Sequence, residues 1–418
     1  MSLLTRTRAI LATTLVAAAL ASVAVLSKEA PSAKPEDVGL STERLARMDK
    51  FIHGYVDAGR TPGVVTLIAR HGKVVHVDAY GKADLASGRA TRADDIFRMY
   101  SMTKPITSTA LLMLFEEGRF QLTDPLSKYF PAFADVKVMT GGSGSGTTTL
   151  EAPKRPITVQ DIFRHTAGFS YGFGGSPVDK MYQDANVFAT DLDGLIAKVS
   201  KMPLLYQPGE RWVYSVSHDV QAALVEKLSG QKFDQFVQQR VFTPLGMRDS
   251  MFKIPADKKS RVPGLYSVDK GKLVADTSPL GAGYGDQVFG GFSISTTASD
   301  YALFAQMLLN KGQLNGVRLL SPKTVELMAT NHLPAPALAS GPGPGTGYGL
   351  GVSVLMNPAE KGNVGSVGEF GWSGAASTHV LIDPKEDLVA IYCTQLMGGD
   401  FAIRAEFATL LYQSIVGN

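Results

Sequence analysis

Pro105 fixes where one helix of this chain can begin. Proline has no amide hydrogen and clashes with a preceding turn, so a helix accepts it only in its first turn. Ile106, Ala110, Met113 and Leu114 follow as an apolar stripe at helical spacing, and Gly118 supplies a stop signal. The helix therefore starts at or just before Ser101, which puts Ser101 and Lys104 on one face, three residues apart. A hydroxyl and an amine at that spacing can share a proton, so Ser101 is a candidate nucleophile with a built-in base. Orphan amides at the positive end of the helix can also stabilise a developing oxyanion. The bland alternative is that Ser101 only caps the helix.

Ser-x-x-Lys recurs at Ser229, Ser250 and Ser267, but in poorer settings. Ser229 precedes Gly230 at an expected helix C-terminus, and the other two fall in irregular, polar or Gly/Pro-rich stretches. A different rival is Ser170, since Gly168-Phe169-Ser170-Tyr171-Gly172 matches the G-x-S-x-G nucleophile elbow. That elbow needs a strand before the serine and a helix after it. Here a helical segment precedes and a glycine-rich loop follows, so Ser170 reads as structural, with Tyr171 and Phe173 lining a pocket. None of His218, His332 and His379 has the setting of a triad partner. His165 ends an apolar helix and reads as hydrogen-bonded structure. Asp124 and Pro125 read as an N-cap and first helical residue, not as a catalytic acid.

Composition narrows the function classes. Lys plus Arg (41) barely exceeds Asp plus Glu (38) and no basic run occurs, which argues against a nucleic-acid partner. The seven histidines show no metal-ligand spacing, and no glycine cluster forms a dinucleotide or Walker loop, so neither metal nor cofactor is expected. Cys393 is the only cysteine, which excludes an intramolecular disulfide; its apolar segment, 388–393, reads as a buried strand. Arg6 and Arg8 precede an apolar run from Ala9 to Leu26, with small-x-small sites at Ala19-Leu20-Ala21 and Ser22-Val23-Ala24. Residues 1–27 thus read as a signal peptide, giving a periplasmic or secreted protein. An uncleaved anchor is the alternative, and the only membrane attachment expected. Oligomeric state is not legible.

Strand and helix signals are unevenly distributed. A helix over 42–58 is followed by two apolar runs, 63–69 and 74–80, joined at His71-Gly72 as a hairpin. Two further strands, 377–382 and 388–394, flank the turn 383–387, and a final helix spans 401–415. Between these ends lie helical stretches at 158–165, 192–200, 218–228 and 233–241. The glycine-serine stretch within 139–153 reads as a flexible insertion, and 333–347, alternating proline and glycine, as irregular. The fold class is α+β: an antiparallel sheet flanked by helices, with a mostly helical domain inserted. The sheet domain is expected over 28–100 plus 295–418 and the helical domain over 101–294, with the site in the cleft between them.

Two more motifs complete the pattern. In Pro208-Gly209-Glu210-Arg211-Trp212-Val213-Tyr214-Ser215-Val216 a turn leads to Tyr214 just before a helix, and Gly371-Trp372-Ser373-Gly374-Ala375 precedes the strand expected at Ser377. With Ser101-Met102-Thr103-Lys104, His165-Thr166-Ala167-Gly168-Phe169 and Gly290-Gly291-Phe292-Ser293-Ile294-Ser295-Thr296, the chain from about Glu36 onward resembles the serine β-lactamase and penicillin-binding-protein superfamily. It is most similar to the family VIII bacterial carboxylesterases. The resemblance implies that fold, a Ser101 nucleophile, Lys104 as its proton-sharing partner, and Tyr214 as general base and later proton donor. Which of Lys104 and Tyr214 takes the serine proton stays open at this stage. It also implies an oxyanion hole from the amides of Ser101 and Ala375.

Two departures bear on substrate. Class C β-lactamases carry Tyr-x-Asn where this chain has Val216, and Lys-Thr-Gly where it has Trp372-Ser373-Gly374. Losing a cation at 372 and an amide at 216 favours neutral esters over anionic lactams and peptides. The Ser373 hydroxyl could still meet a carboxylate, which leaves weak β-lactam hydrolysis open. Trp372 could also serve packing alone. The expectation is a small-molecule carboxylesterase for short- to medium-chain acyl esters. The alternatives are a β-lactamase or D-alanyl-D-alanine carboxypeptidase, and a non-catalytic wall-binding protein, which would not need Ser101, Lys104 and Tyr214.

Overall fold

The computed structural model describes residues 32–141, 149–278, 287–399 and 402–417. The expected leader, and residues 142–148 of the expected insertion, lie outside them.

Period-two alternation explains why the central strands are apolar throughout. In β1 (Gly63–Arg70), Val64 and Ile68 join one buried cluster while Val65, Leu67 and Ala69 join another on the opposite face. It pairs with β2 (Lys73–Gly81) across His71-Gly72, both left-handed at φ 51° and 70°, as the hairpin signal requires. From the far end of the chain come β3 (Thr346–Tyr348), β4 (Ser353–Leu355), β5 (Phe370–Ser373), β6 (His379–Asp383) and β7 (Leu388–Cys393). The resulting seven-stranded antiparallel sheet has the order β3-β4-β5-β6-β7-β1-β2. The two ends of the sequence therefore meet along the β1–β7 ladder, Val65 opposite Cys393.

Helices cover both faces. Against one lie α1 (Thr42–Asp57), capped by Ser41, and the C-terminal helix Ala402–Tyr412, through Leu45, Met48, Ile52, Ile403 and Phe407. Residue 401 of the expected final helix is outside the described part. The other face meets α2 (Thr103–Glu116), whose residues from Thr103 to Leu114 are all buried, and the larger apolar cluster. That cluster continues through α3 (Val159–Phe163), α4 (Pro177–Asp184), α5 (Leu192–Val199), α6 (Ser217–Ser229), α7 (Phe233–Val237) and α8 (Ala298–Leu309).

Some boundaries depart from the sequence reading. The strand expected from Ser377 starts at His379, because Ser377 sits at φ 65° in the tight turn leaving β5. The helix expected over 233–241 ends at Val237 and passes into a π-turn over Gln238–Phe242. Asp124 is not an N-cap: its carboxylate accepts from Gln121 N (2.9 Å), Lys128 Nζ (3.0 Å) and Tyr129 OH (2.5 Å), while Pro125 occupies the cap of the short turn Leu126–Lys128. The stretch 333–347 holds a short helix, Ala335–Leu338, and the start of β3.

Arg70, at the end of β1, is 2 % exposed and ties both chain ends to the sheet. Its guanidinium donates to Val38 O (2.9 Å), Gly417 O (2.7 Å), Glu386 O (3.0 Å) and Glu386 Oε2 (3.2 Å). Removing it strands buried acceptors, so Arg70→Ala is expected to lose about 3 kcal/mol or more in urea unfolding. A loss below about 0.5 kcal/mol, the usual range for surface positions, would contradict this role.

Candidate active site

The Ser101 turn is set by its neighbours on both sides. Met99 N donates to Ile294 O (2.9 Å), and Tyr100 then takes a left-handed φ of 46°, a conformation unfavourable for a side-chain-bearing residue. Tyr100–Met102 form a 3₁₀ turn and the α-helix proper begins at Thr103, two residues later than Ser101. In a 3₁₀ turn residues i and i+3 nearly eclipse, which draws Lys104 toward Ser101. Lys104 has no exposed surface; its Nζ donates to Ser101 Oγ (3.1 Å) and Gly291 O (2.8 Å) and lies 4.6 Å from the centre of the Tyr214 ring.

Tyr214 reaches the same oxygen, with its hydroxyl 2.7 Å from Ser101 Oγ. The segment bearing it is pinned by three amides: Val213 N to His165 O (2.9 Å), Ser215 N to His165 Nδ1 (3.2 Å) and Val216 N to Ser170 O (3.3 Å). His165 is fully buried with φ 56°, so it serves as a bracket for Tyr214, the hydrogen-bonded role expected of it. Val216 is fully buried and offers the site no polar group.

The third motif closes the other side. Trp372 and Ser373 precede β6, as expected, and themselves belong to a strand, β5, in register with Val380 and His379. Trp372 Nε1 donates to the Tyr214 hydroxyl at 3.3 Å, and Ser373 Oγ is 2.9 Å from His379 Nδ1. Packing alone does not account for that contact of Trp372. Gly374 passes so close to the Ser101 turn that a Cβ would collide with Met99 O and Thr378 Oγ1. Ser101, Tyr214, Trp372, Ser373, Gly374 and Ala375 all line one cavity of about 600 Å³.

Tyr171 and Phe173 do not line it. Tyr171 is buried behind the site, with ring centres 5.3 Å from Tyr214 and 5.0 Å from Phe173, which is exposed. Ser170 is buried too; its hydroxyl donates to Asp179 and accepts from Gly172 N (2.7 Å), holding the loop between α3 and α4. Ser229, Ser250 and Ser267 lie outside the cavity.

Burial dominates the electrostatics. Desolvation, reinforced by the Lys104 charge, holds the His165 and His218 imidazoles well below their ordinary range and hence neutral. Burial likewise pushes the Asp219 carboxyl up to about 7 against the attraction of Lys104. Desolvation, with the charges of Arg404 and Lys361, lowers His379, which also lines the cavity, to about 3. Sequence reading missed Asp219, Lys361 and Arg404. Asp219 falls five residues after Tyr214, Arg404 in the helix expected over 401–415 and Lys361 in a stretch with no element expected, so none belonged to a recognisable motif. Among the described residues no cluster of three His, Cys, Asp or Glu suits a metal ion.

The Beta-lactamase family model matches residues 48–413. Protein Rv1367c of Mycobacterium tuberculosis is 34% identical over 350 residues, covering 81% of this chain and 87% of that protein. A lovastatin esterase of Penicillium rubens is 30% identical over 296 residues, covering 68% and 73%. Among solved structures, EstCE1, described as a hydrolase with promiscuous acyltransferase activity, superimposes with a TM-score of 0.78 at 22% identity, covering 88% of this chain and 99% of that one. That likeness is one of fold.

The close approach at Gly374 makes a direct prediction. Gly374→Ala is expected to lose about 1–3 kcal/mol in urea unfolding, as overpacking does, and to slow covalent labelling of Ser101 by a fluorophosphonate. Unchanged stability and labelling would mean that β5 does not hold the Ser101 turn.

Proposed function

The chain belongs to the Beta-lactamase family, and on that premise we propose that it is a serine carboxylesterase. It hydrolyses short- to medium-chain acyl esters through a Ser101 acyl-enzyme, without metal or cofactor. One observation carries this reading: Ser101 Oγ is within hydrogen-bond reach of both Lys104 Nζ and the Tyr214 hydroxyl at the wall of a cavity.

In the proposed cycle Ser101 Oγ bonds to the ester carbonyl carbon as its proton passes to Tyr214. A free phenol titrates near about 10, so accepting a proton near neutrality needs nearby positive charge and donors. Lys104 and the Trp372 indole N–H supply them. The amides of Ser101 and Ala375 face the developing oxyanion, and such donors typically contribute roughly 3–4 kcal/mol each. The alkoxide leaves with the proton from Tyr214, and water then attacks the acyl-enzyme by the same steps in reverse.

The apolar Trp372 at the place of a lysine, and the buried Val216 at the place of an asparagine, support neutral esters. Similarity to a lovastatin esterase points the same way. A β-lactamase or D-alanyl-D-alanine carboxypeptidase is the second reading, favoured by Lys361 and Arg404, which line the cavity and could meet a substrate carboxylate. We place the protein outside the cytoplasm on its leader. Among the described residues no helix is long and apolar enough to cross a membrane.

The test is p-nitrophenyl butyrate hydrolysis with nitrocefin in parallel. Ser101→Ala is expected to lose activity by a factor of roughly 10³ or more, as loss of a nucleophile does. Ser170→Ala should keep esterase activity while losing about 1–2 kcal/mol of stability with its buried hydrogen bonds. A dead, folded Ser170→Ala beside an active Ser101→Ala would overturn the assignment. Nitrocefin turnover exceeding ester turnover would favour the second reading.

A further inference from the structure

A strap formed by residues 289–294 lies along α2 and is fastened to it at three points. Thr107 Oγ1 donates to Gly290 O (2.7 Å), Lys104 Nζ to Gly291 O (2.8 Å), and Ile294 N to Thr103 Oγ1 (3.1 Å). From the other side the strap is held by Asp219, the third residue of α6, whose Oδ1 accepts from Gly291 N at 2.8 Å. The fit is tight: a Cβ on Gly291 would stand 2.7 Å from Tyr171 OH and 3.0 Å from both Asp219 oxygens.

Asp219 is fully buried, and its second oxygen, Oδ2, has no hydrogen-bond partner among the described residues. As a hook for one amide, a neutral asparagine would serve equally well. Burying a carboxylate costs far more, and is tolerated where an opposite charge is close. Lys104 from α2 acts on Asp219, and Tyr171 from the loop before α4 crowds the same side of Gly291; the buried imidazoles of His165 and His218, which also feel Lys104, are neutral. Lys104 is the cation that acts on it.

We propose that Asp219 is a positioning residue for Lys104: its carboxylate fixes the Gly291 peptide whose carbonyl holds Nζ, and its charge offsets that of Lys104. It deepens the reading above, since it rests on Ser101 being the nucleophile and Lys104 its neighbouring cation. On this proposal Tyr214 exchanges the proton, while Lys104, fastened through Gly291 and offset by Asp219, supplies the charge that attracts the phenolate.

The experiment follows the rate at which a fluorophosphonate labels Ser101 from pH 5 to 10, which does not depend on the choice of ester. Asp219→Asn keeps an acceptor for Gly291 N and removes only the charge. It is expected to label at least tenfold more slowly near pH 8, with the alkaline limb of its profile moved to lower pH by one unit or more. A folded Asp219→Asn with the wild-type rate and profile would reduce Asp219 to a structural hook and overturn the proposal. If the wild type labels at another serine, the Ser101 reading fails and takes this proposal with it, a distinguishable result. Should Asp219→Asn not fold, carboxyl-¹³C aspartate NMR on wild type and Lys104→Met decides. The Asp219 titration is expected to rise by a unit or more without Lys104, and an unmoved titration would refute the coupling.

Discussion

A lysine with no exposed surface sets the terms for everything around Ser101. A buried ammonium is tolerable only when its donors are used and an opposite charge or π-face is near. Lys104 meets these demands with the hydroxyl of Ser101, the carbonyl of Gly291 and the ring of Tyr214. Each partner comes from a different part of the chain, so the site exists only when the Ser101 turn, the Tyr214 segment and the 289–294 strap are assembled together. The helix start at Thr103, the two glycines of the strap and the bracket at His165 all serve that assembly.

The same logic explains why the two chain ends must meet. β5 places Trp372 and Gly374 against the Ser101 turn, and β5 pairs with β6, β6 with β7 and β7 with β1. Arg70 locks that junction by gathering carbonyls from residues 38, 386 and 417. The sheet is thus the template that brings the third motif to the first, while α3 and α6 bring the second. Trp372 contributes twice: it gives the cavity an apolar wall, and its indole N–H reaches the oxygen of Tyr214. A lysine in its place would add a cation there.

Sequence reading succeeded where one local signal decides structure. The His71-Gly72 hairpin, the apolar helix with Pro105 in its first turn and the buried strand around Cys393 all follow from turn chemistry or apolar periodicity. It failed where tertiary contacts decide. The edge strand β3 and its neighbour β4 are three residues each and sit beside a Gly/Pro-rich stretch, so no periodicity could show them. α8 is buried nearly all round, which erases the amphipathic stripe. Ser377 has a strand-like neighbourhood, yet the turn after Gly374 forces it into left-handed backbone. Around the site, motifs singled out Ser101, Lys104, Tyr214 and Trp372. Asp219 escaped because its meaning depends on a glycine amide 72 residues away.

The central claim is that acyl transfer passes through a covalent bond to Ser101. Acid-quenching the enzyme during p-nitrophenyl butyrate turnover and mapping the trapped butyryl group by peptide mass spectrometry tests it most directly. The claim predicts butyryl on Ser101, in the tryptic peptide Met99–Arg119, since trypsin does not cut between Lys104 and Pro105. Butyryl on Ser170, or turnover with no acylated protein at any time, would contradict it.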